Sequence, residues 1–229
     1  ISVSLDVTNV SETDSDEVVQ IYFRMENPSV KRPLRQLVAF ARERIEGGRT
    51  RHFEFDIKKS ELRFYDVSRE RFAVEQGRYT FMAGASSEDI RLTKTINVSG
   101  EIIPPRELCK GVKAKNYDGK CGAKMKYSKK LEQHYMLGGG LIYNNCVLGE
   151  ADSIEIVCGS RVNTGKITVR YGGETLCEAE VKPTVDVTEF ETVTAQFDKA
   201  VLAGIDREKP AAFELWMPEQ IYILGFRTY

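Results

Sequence analysis

The sequence contains few histidines and little tryptophan, and it has no apolar segment long enough to cross a membrane. Only two histidines and one tryptophan occur among 229 residues. No apolar run approaches the roughly 18 residues that a membrane-spanning helix requires. Lys and Arg total 33 against 34 for Asp and Glu, so no excess of positive charge marks the chain for nucleic acid. We therefore expect neither a membrane nor a nucleic-acid partner.

The cysteines fit neither a metal site nor a disulfide framework. No CxxC pair occurs among Cys109, Cys121, Cys146, Cys158 and Cys177, and an odd number cannot all pair internally. Free thiols that pack as small apolar residues are typical of a reducing compartment. We expect a cytoplasmic protein without a metal or other cofactor, and a secreted protein remains the alternative.

No catalytic arrangement is visible in the sequence. His52 falls on the polar face of an expected strand, and His134 precedes the Gly-rich stretch 138–140. That stretch lacks the strand–loop–helix context and the GK[ST] ending of a phosphate-binding loop. No nucleophile elbow occurs, so we predict no catalytic residue in this chain.

Composition changes near residue 100. Residues 1–100 contain 12 Arg, 4 Lys and no Cys, whereas the remainder contains 5 Arg, 12 Lys and all five Cys. Pro104 and Pro105 fix an extended segment between the two parts. The sequence predicts one domain at 1–99, a linker at 100–106 and a second domain at 107–229. Because Ile1 lies at the start of an expected strand, we also expect a longer polypeptide.

Both parts alternate apolar and polar residues with the period of a β-strand. In the first part this alternation aligns Val3, Leu5, Val7; Val19, Ile21, Phe23, Met25; Phe53, Phe55, Ile57; and Tyr79, Phe81, Ala83. About seven short strands separated by turns predict an antiparallel sandwich of about 100 residues. In the second part Gly172-Gly173 predicts a tight hairpin turn, and no long amphipathic helix is expected. The fold class is all-β, with two antiparallel β-sandwich domains in tandem.

A lysine-rich run covers residues 110–130. It contains eight lysines and one acidic residue, Asp118. A site for polyanions is one interpretation. Because lysine cannot make the bidentate phosphate contacts of arginine, we favour a solvated face.

Ordered motifs in the first part carry a family resemblance. They are Asp16–Gln20 (DEVVQ), Arg32-Pro33, Phe64–Asp66 (FYD), Gly77 with Tyr79, and the stretch from Gly84 through Ser86-Ser87 to Asp89–Arg91 (DIR). Residues 1–99 resemble the fibronectin type III-like domain of glycoside hydrolase family 3 enzymes. The resemblance implies a structural accessory domain whose nucleophile and acid/base lie upstream in sequence.

The second part resembles a carbohydrate-binding module of family 6. The similar segments are VKAKNYDG, LIYNNCVLGEADSIEI, KITVRYGGETLCEAEV, FETVTA and IYILGFRTY. The resemblance implies a jelly-roll sandwich in which Tyr143, Asn144 and Tyr222 contact carbohydrate. The alternation of Tyr222 with Ile221 and Ile223 favours a Tyr222 side chain that faces solvent. We expect Trp216 to be half-buried core.

Departures from that family weaken the expected site. Lys113 and Lys115 stand where acidic residues help to hold a structural calcium, and an ammonium group cannot ligate a metal. The second sugar-binding aromatic is replaced by Val187. We expect no calcium and weak sugar binding at most.

Together these features predict the non-catalytic C-terminal accessory region of a family 3 glycoside hydrolase that acts on β-glycosides. Its expected partners are the catalytic domains of the same glycosidase, with a β-glycan or oligosaccharide, or a second copy of the chain, at the second domain. The alternatives are a free-standing carbohydrate-binding protein and one fragment of a nicked or split glycosidase.

Overall fold

The computed structural model describes residues 1–184 and 189–229, and its regular secondary structure is almost entirely β-strand. The chain divides into two units, Ile1–Ile103 and Pro104–Tyr229. The predicted all-β class is confirmed. Helical structure in the described residues is limited to the 3₁₀ turns Lys59–Leu62 and Leu108–Lys110 and the short helix α1, Lys199–Gly204. None of the helices in this described part is long and apolar enough to span a bilayer.

The first unit contains eight strands. They are β1 (Ser2–Thr8), β2 (Ser15–Met25), β3 (Gln36–Ile45), β4 (Thr50–Asp56), β5 (Phe64–Asp66), β6 (Arg71–Ala73), β7 (Gly77–Gly84) and β8 (Ile90–Val98). A four-stranded antiparallel sheet has the order β3-β2-β7-β8, and a two-stranded sheet pairs β1 with β4. The short hairpin β5-β6 stands apart from both sheets.

Alternation along the strands supplies the core of the first unit. Ile21 and Phe23 from β2 and Phe81 from β7 pack with Phe53 and Phe55 from β4, and all five are buried. The predicted inward faces of β2, β4 and β7 are thus confirmed.

One ion pair is buried in the first unit. Arg32 binds the Glu75 carboxylate, and their side chains are 7% and 9% exposed. The Arg32 guanidinium lies 3.7 Å from the centre of the Phe64 ring, and the Ser29 N–H donates to Glu75 at 3.1 Å. This pair joins the segment before β3 to the segment before β7.

The described residues of the second unit form ten strands. They are β9 (Arg106–Glu107), β10 (Val112–Lys113), β11 (Gly119–Cys121), β12 (Lys124–Ser128), β13 (Gln133–Val147), β14 (Ser153–Ser160), β15 (Gly165–Tyr171), β16 (Glu174–Val181), β17 (Glu191–Gln196) and β18 (Ala211–Thr228). Apart from the parallel contact of β9 with β13, the pairings between these strands are antiparallel.

Two long strands, β13 and β18, contribute to both layers of this sandwich. The first half of β18 pairs with β15 and β13, and its second half pairs with β14 and β10. The register of β13 against β18 shifts between Leu137 and Gly139. Gly138 and Gly139 have φ of +59° and +71° there, a conformation that glycine adopts readily. The expected Gly-rich loop is therefore a bend within a strand.

Candidate functional site

Tyr143, the first expected sugar-contact residue, lies inside the second unit. Its side chain has no exposed surface. The hydroxyl donates to the Ala114 carbonyl at 2.9 Å, and the ring packs edge-on against Phe226 at 5.0 Å. Burial raises the pKa of Tyr143 far above its usual value. A ring enclosed in this way offers no face to a sugar, so the expectation of a Tyr143 platform is wrong for this structure.

A buried ion pair lies beside Tyr143. Arg106 and Asp118 are each 5% exposed at the side chain, with 3.3 Å between Nη2 and Oδ2, and the guanidinium lies 5.3 Å from the Tyr143 ring centre. The Asn144 N–H donates to Asp118 at 2.7 Å. The neighbourhood of Tyr143 and the backbone of Asn144 thus serve the packing of β9 and β13. Contact of the partly exposed Asn144 with carbohydrate stays a prediction.

Tyr222 is also fully buried, so the expectation that it faces solvent is wrong. Its hydroxyl is hydrogen-bonded to the Thr184 hydroxyl and donates to the Glu189 carbonyl at 3.1 Å. Its ring packs edge-on against Tyr135 and Phe190, at 5.8 and 5.0 Å between centres. These contacts come from distant parts of the chain, which explains why strand alternation does not reveal them.

The expected site residues do not meet in one cleft. Tyr222 pairs with Leu137, which precedes Tyr143 by six residues, or roughly 20 Å along an extended strand. Val187 lies outside the described residues.

Trp216 lies on a different face of its strand from the one that the sequence predicted. Phe213, Leu215 and Met217 alternate inward on β18 and are buried, so Trp216 lies on the outer face of the sheet and is half-buried. A Cβ on Gly140 would approach carbons of the indole ring to 2.7 Å, which shows that the ring lies against the glycine backbone. The indole Nε1–H donates to Glu214 at 2.7 Å. Trp216 is half-buried, as expected, but it lies on the outer face of the sheet and not in the core. Its alternation with the buried Leu215 was the signal in the sequence for this orientation.

The first unit carries an apolar outer face, which we call the Phe40 face and define as Tyr22, Leu37, Phe40 and Met82. Phe40 and Leu37 are 68% and 51% exposed. Leu37 pairs with Tyr22, which pairs with Met82. A register shift between Ile21 and Tyr22 opposite β3 brings Leu37 and Phe40 to the same side. Because simple alternation would separate residues three apart, the sequence pattern did not indicate this face.

The described residues include no candidate metal site, and burial makes three of the five thiols unreactive. No group of three or more His, Cys, Asp or Glu side chains in this part of the chain is placed to hold a metal ion. Burial raises the pKa of Cys146 and of Cys158 to about 12 and that of Cys177 to about 11. These three thiols are therefore protonated at neutral pH and poor nucleophiles.

Comparison with known proteins concerns mainly the first unit. A family model described as "Fibronectin type III-like domain" matches residues 17–87. The first unit is a fibronectin type III-like domain. A β-glucosidase of Rhizobium radiobacter is 34% identical over 98 residues, which are 43% of this chain and 12% of that protein. The β-glucosidase BoGH3A of Bacteroides ovatus is 33% identical over 95 residues, 42% of this chain and 13% of that protein.

The chain therefore spans about an eighth of the length of these curated relatives. Two solved structures are also similar. The Bifidobacterium adolescentis family 3 β-glucosidase is 29% identical, with a TM-score of 0.42, over 44% of this chain and 15% of that one. CsCBM6-3 from Clostridium stercorarium, solved with cellobiose, is 18% identical, with a TM-score of 0.46, over 54% of this chain and 95% of that one.

These findings confirm the resemblance that the ordered motifs of the first part predicted. The residues shared with β-glucosidases form the fibronectin type III-like domain, which holds the buried Arg32–Glu75 pair and the Phe40 face. That domain is thus related to an accessory part of glycosidases.

Proposed function

We propose that this chain is a non-catalytic accessory region of a family 3 glycoside hydrolase that acts on β-glycosides. In this proposal the fibronectin type III-like domain braces the catalytic domains of the same enzyme. The exposed Phe40 face is the observation that carries the proposal.

An apolar cluster on the outside of a sheet requires a partner surface. Tyr22 and Met82 are only 8% and 7% exposed, although they point away from the core. They and the exposed Leu37 and Phe40 form neighbouring positions on one sheet face. Contiguous apolar surface of this kind marks protein contacts more often than isolated exposed residues do. A catalytic domain of a β-glucosidase-like enzyme fits this role, because the relatives contain this domain within much longer chains.

Substitution on the Phe40 face tests the proposal. We expect Phe40→Asp in the complete gene product to lower the melting temperature of the catalytic activity, measured by hydrolysis of p-nitrophenyl β-glucoside after heating. In the 229-residue chain the same change should alter stability by no more than about 0.5 kcal/mol, because the side chain is exposed. Val10→Asp is the matched control, because Val10 is 94% exposed in a loop away from this face.

Two results would refute the proposal. One is an unchanged activity melting curve for Phe40→Asp. The other is a complete gene product without a catalytic part and without a co-purifying catalytic chain, which would favour a free-standing carbohydrate-binding protein. A separate catalytic chain bound to this one would instead support the split-enzyme form of the proposal.

Weak glycan binding by the second unit is a second candidate function, and the orientation of Trp216 favours it over a site at Tyr143. Contact with Gly140 and the hydrogen bond to Glu214 hold the indole on the outer sheet face. Thr168 pairs with Trp216 and the exposed Arg170 pairs with Glu214, so polar groups border the ring. Flat apolar surface with a few fixed polar groups suits a sugar ring.

Calorimetric titration with cello- and xylo-oligosaccharides tests this candidate. A single platform predicts a dissociation constant around 1 mM, equivalent to about 4 kcal/mol. Trp216→Ala should abolish the signal, whereas Tyr143→Phe should leave it unchanged. If no oligosaccharide binds, the second unit serves for packing or for contact between copies of the chain.

A further inference from the structure

The lysine-rich run of the second unit lies along the edge of a sheet. Strand β12 pairs with β13 alone, so its other edge has no neighbouring strand among the described residues. Between residues 119 and 134 the sequence has five lysines and one acidic residue, Glu132. Four of these lysines are exposed on β12 or in the turn that follows it, and we call them the lysine edge: Lys124, Lys126, Lys129 and Lys130.

The charge of the lysine edge is not neutralised within the described part of the chain. None of its four ammonium groups forms an ion pair with the described residues, and Asp118 is buried beside Arg106. The arginines of the first unit differ, because eight of them bind a carboxylate. Since the whole chain is nearly neutral, the lysine edge is a local excess of positive charge.

An exposed aromatic ring lies beside these charges. Tyr127 is 53% exposed and pairs across the strands with His134, with 5.1 Å between the ring centres. Met125 pairs with the fully buried Met136. Met125 and Tyr127 therefore lie on the side of β12 that continues outward from the core. The Tyr127 ring is supported by His134 and still half exposed.

The lysines and the ring border the same edge from opposite sides. Lys124 and Lys126 alternate with Met125 and Tyr127 along β12, and successive side chains of a strand point to opposite faces. A ligand that runs along an edge strand can contact both faces, because lysine has a long flexible side chain. From Lys124 to Ser128 the strand spans about 13 Å. This length suits an extended polymer better than a single small anion.

The composition of this edge favours an acidic polysaccharide over a nucleic acid. Arginine makes the bidentate contacts that phosphate groups favour, whereas lysine acts as a point charge, and residues 107–134 contain no arginine. A flat apolar surface with polar groups beside it suits a sugar ring. A carboxylate on each sugar supplies the negative charge that a row of lysines attracts.

We propose that the lysine edge and Tyr127 bind a polysaccharide that contains uronic acids. Its carboxylates lie near the ammonium groups, and one sugar ring packs against Tyr127. The choice of a glycan rests on the proposed function, which places the chain in a glycosidase.

This site is separate from the other residues considered for sugar binding. Tyr143 and Tyr222 are buried. Trp216 pairs with Gly140, which follows His134 by six residues, or roughly 20 Å along an extended strand.

A purely solvated face, the interpretation that the sequence favours, is the alternative. Lysines on an edge strand also protect it from pairing with other chains. That role requires no affinity for a polysaccharide, so a binding measurement separates the two explanations.

Biolayer interferometry of the 229-residue chain on immobilised polygalacturonate tests the proposal. We expect binding to this acidic polymer and none to its fully methyl-esterified form, which has the same backbone without the charge. Binding should disappear when the ionic strength rises from about 0.01 M to about 0.5 M, because exposed charges are then screened.

Two sets of four substitutions form a matched pair. Replacement of the whole lysine edge by Gln should raise the dissociation constant at least about tenfold, because four exposed charge pairs are lost together. A control that removes the same number of positive charges at exposed positions elsewhere should change it by less than about twofold, since distant charges are screened. The control set is Lys58→Gln, Lys182→Gln, Lys199→Gln and Lys209→Gln.

A second pair of variants tests the aromatic ring. Tyr127→Ala should weaken binding roughly three- to tenfold, the range expected for one aromatic contact. Tyr127→Phe keeps the flat face and should bind like the wild-type chain. Unchanged fluorescence of Trp216 checks that each variant is folded.

Three results would overturn the proposal. They are absence of binding by the wild-type chain, equal binding of the acidic and the esterified polymer, and equal losses from the two sets of lysine substitutions. Tighter binding to polyphosphate or RNA than to polygalacturonate would also overturn it, because a phosphate polymer would then be the ligand.

The Phe40→Asp experiment keeps this result separate from the proposed function. If Phe40→Asp leaves the activity melting curve unchanged while polygalacturonate binds through the lysine edge, only the proposed function fails. If Phe40→Asp destabilises the activity while polygalacturonate does not bind, only the polysaccharide proposal fails.

Discussion

The two units differ in how completely each buries its own apolar surface. Among the described residues the core of the first unit has 12 buried apolar side chains in 103 residues, whereas that of the second has 26 in 126 residues. The first unit also exposes the Phe40 face, and residues of β1, β7 and β8 line two cavities of about 280 and 270 Å³. A small core gives a domain little net stability, because the free energy gained by burying apolar surface only slightly exceeds the cost of the conformational entropy lost on folding.

This difference is what we expect if other protein surface covers part of the first unit, as we propose. The second unit buries several large aromatic residues, including Tyr143, Tyr171, Phe213 and Tyr222. We therefore predict that the two units differ in their free energies of unfolding and in how strongly mutations lower them.

The largest expected effect is at the buried ion pair of the first unit. Glu75→Gln leaves the buried Arg32 guanidinium without its counter-charge, which should cost about 3–5 kcal/mol. Loss of the low-temperature calorimetric transition of the 229-residue chain would show this effect. Glu43→Gln is the control, because its exposed ion pair with Arg51 should contribute no more than about 1 kcal/mol. Equal effects of the two substitutions would contradict the prediction.

A smaller effect is expected in the second unit from Tyr143→Phe. The change removes the donor to the buried Ala114 carbonyl, which should cost about 1–3 kcal/mol. Urea unfolding followed by tryptophan fluorescence measures this, because Trp216 is the sole tryptophan of the sequence and reports on the second unit. A stability unchanged within error would indicate that the hydroxyl has no structural role.

Acid should weaken the first unit through Asp66. Burial raises the pKa of Asp66, but hydrogen bonds from the Arg69 side chain and from the Ser68 and Arg69 backbone outweigh it, so the pKa is lowered. A lowered folded pKa contributes stability above the unfolded value, about 3.9, and this contribution is lost as the pH falls through the folded pKa. Between pH 5 and 2.5 the melting temperature of Asp66→Asn should therefore fall by less than that of the wild-type chain. Parallel curves of melting temperature against pH for the two proteins would exclude this role. The control is Asp56→Asn, on the exposed side of β4.

The smallest effect on stability is expected from thiol modification. Cys109 and Cys121 are exposed and should react in the folded chain. Cys146 and Cys158 should react only after unfolding, since both are buried and burial raises the pKa of each to about 12. Titration with a thiol reagent in denaturant should find all five. Fewer would contradict the expectation of reduced cysteines, on which the expectation of a cytoplasmic location depends.

Local patterns in the sequence predicted several strands of both units. Alternation identified the buried faces of β2, β4 and β7 through residues such as Ile21, Phe53 and Phe81. Gly172 and Gly173 adopt the positive φ angles expected of a tight hairpin turn. These features depend on neighbours in sequence and are therefore visible in it.

The candidate site depended on contacts that the sequence does not display. Tyr143 was assigned to the surface by resemblance, although its alternation with Leu141 indicates the interior. Tyr222 is covered by Tyr135 and Phe190, which are far away in the chain. Leu37 and Phe40 share a face because of a register shift, and such a shift is a property of strand pairing.

Calorimetry of the 229-residue chain and of the complete gene product tests the central claim, that the first unit is completed by surface outside these residues. We predict two transitions in the 229-residue chain, with the first unit unfolding at the lower temperature. In the complete gene product that transition should rise by at least about 4–8 °C, which corresponds to about 1 kcal/mol for a domain of this size. The transition reported by Trp216 should not move. A first unit that melts at the same temperature in both proteins would contradict the account.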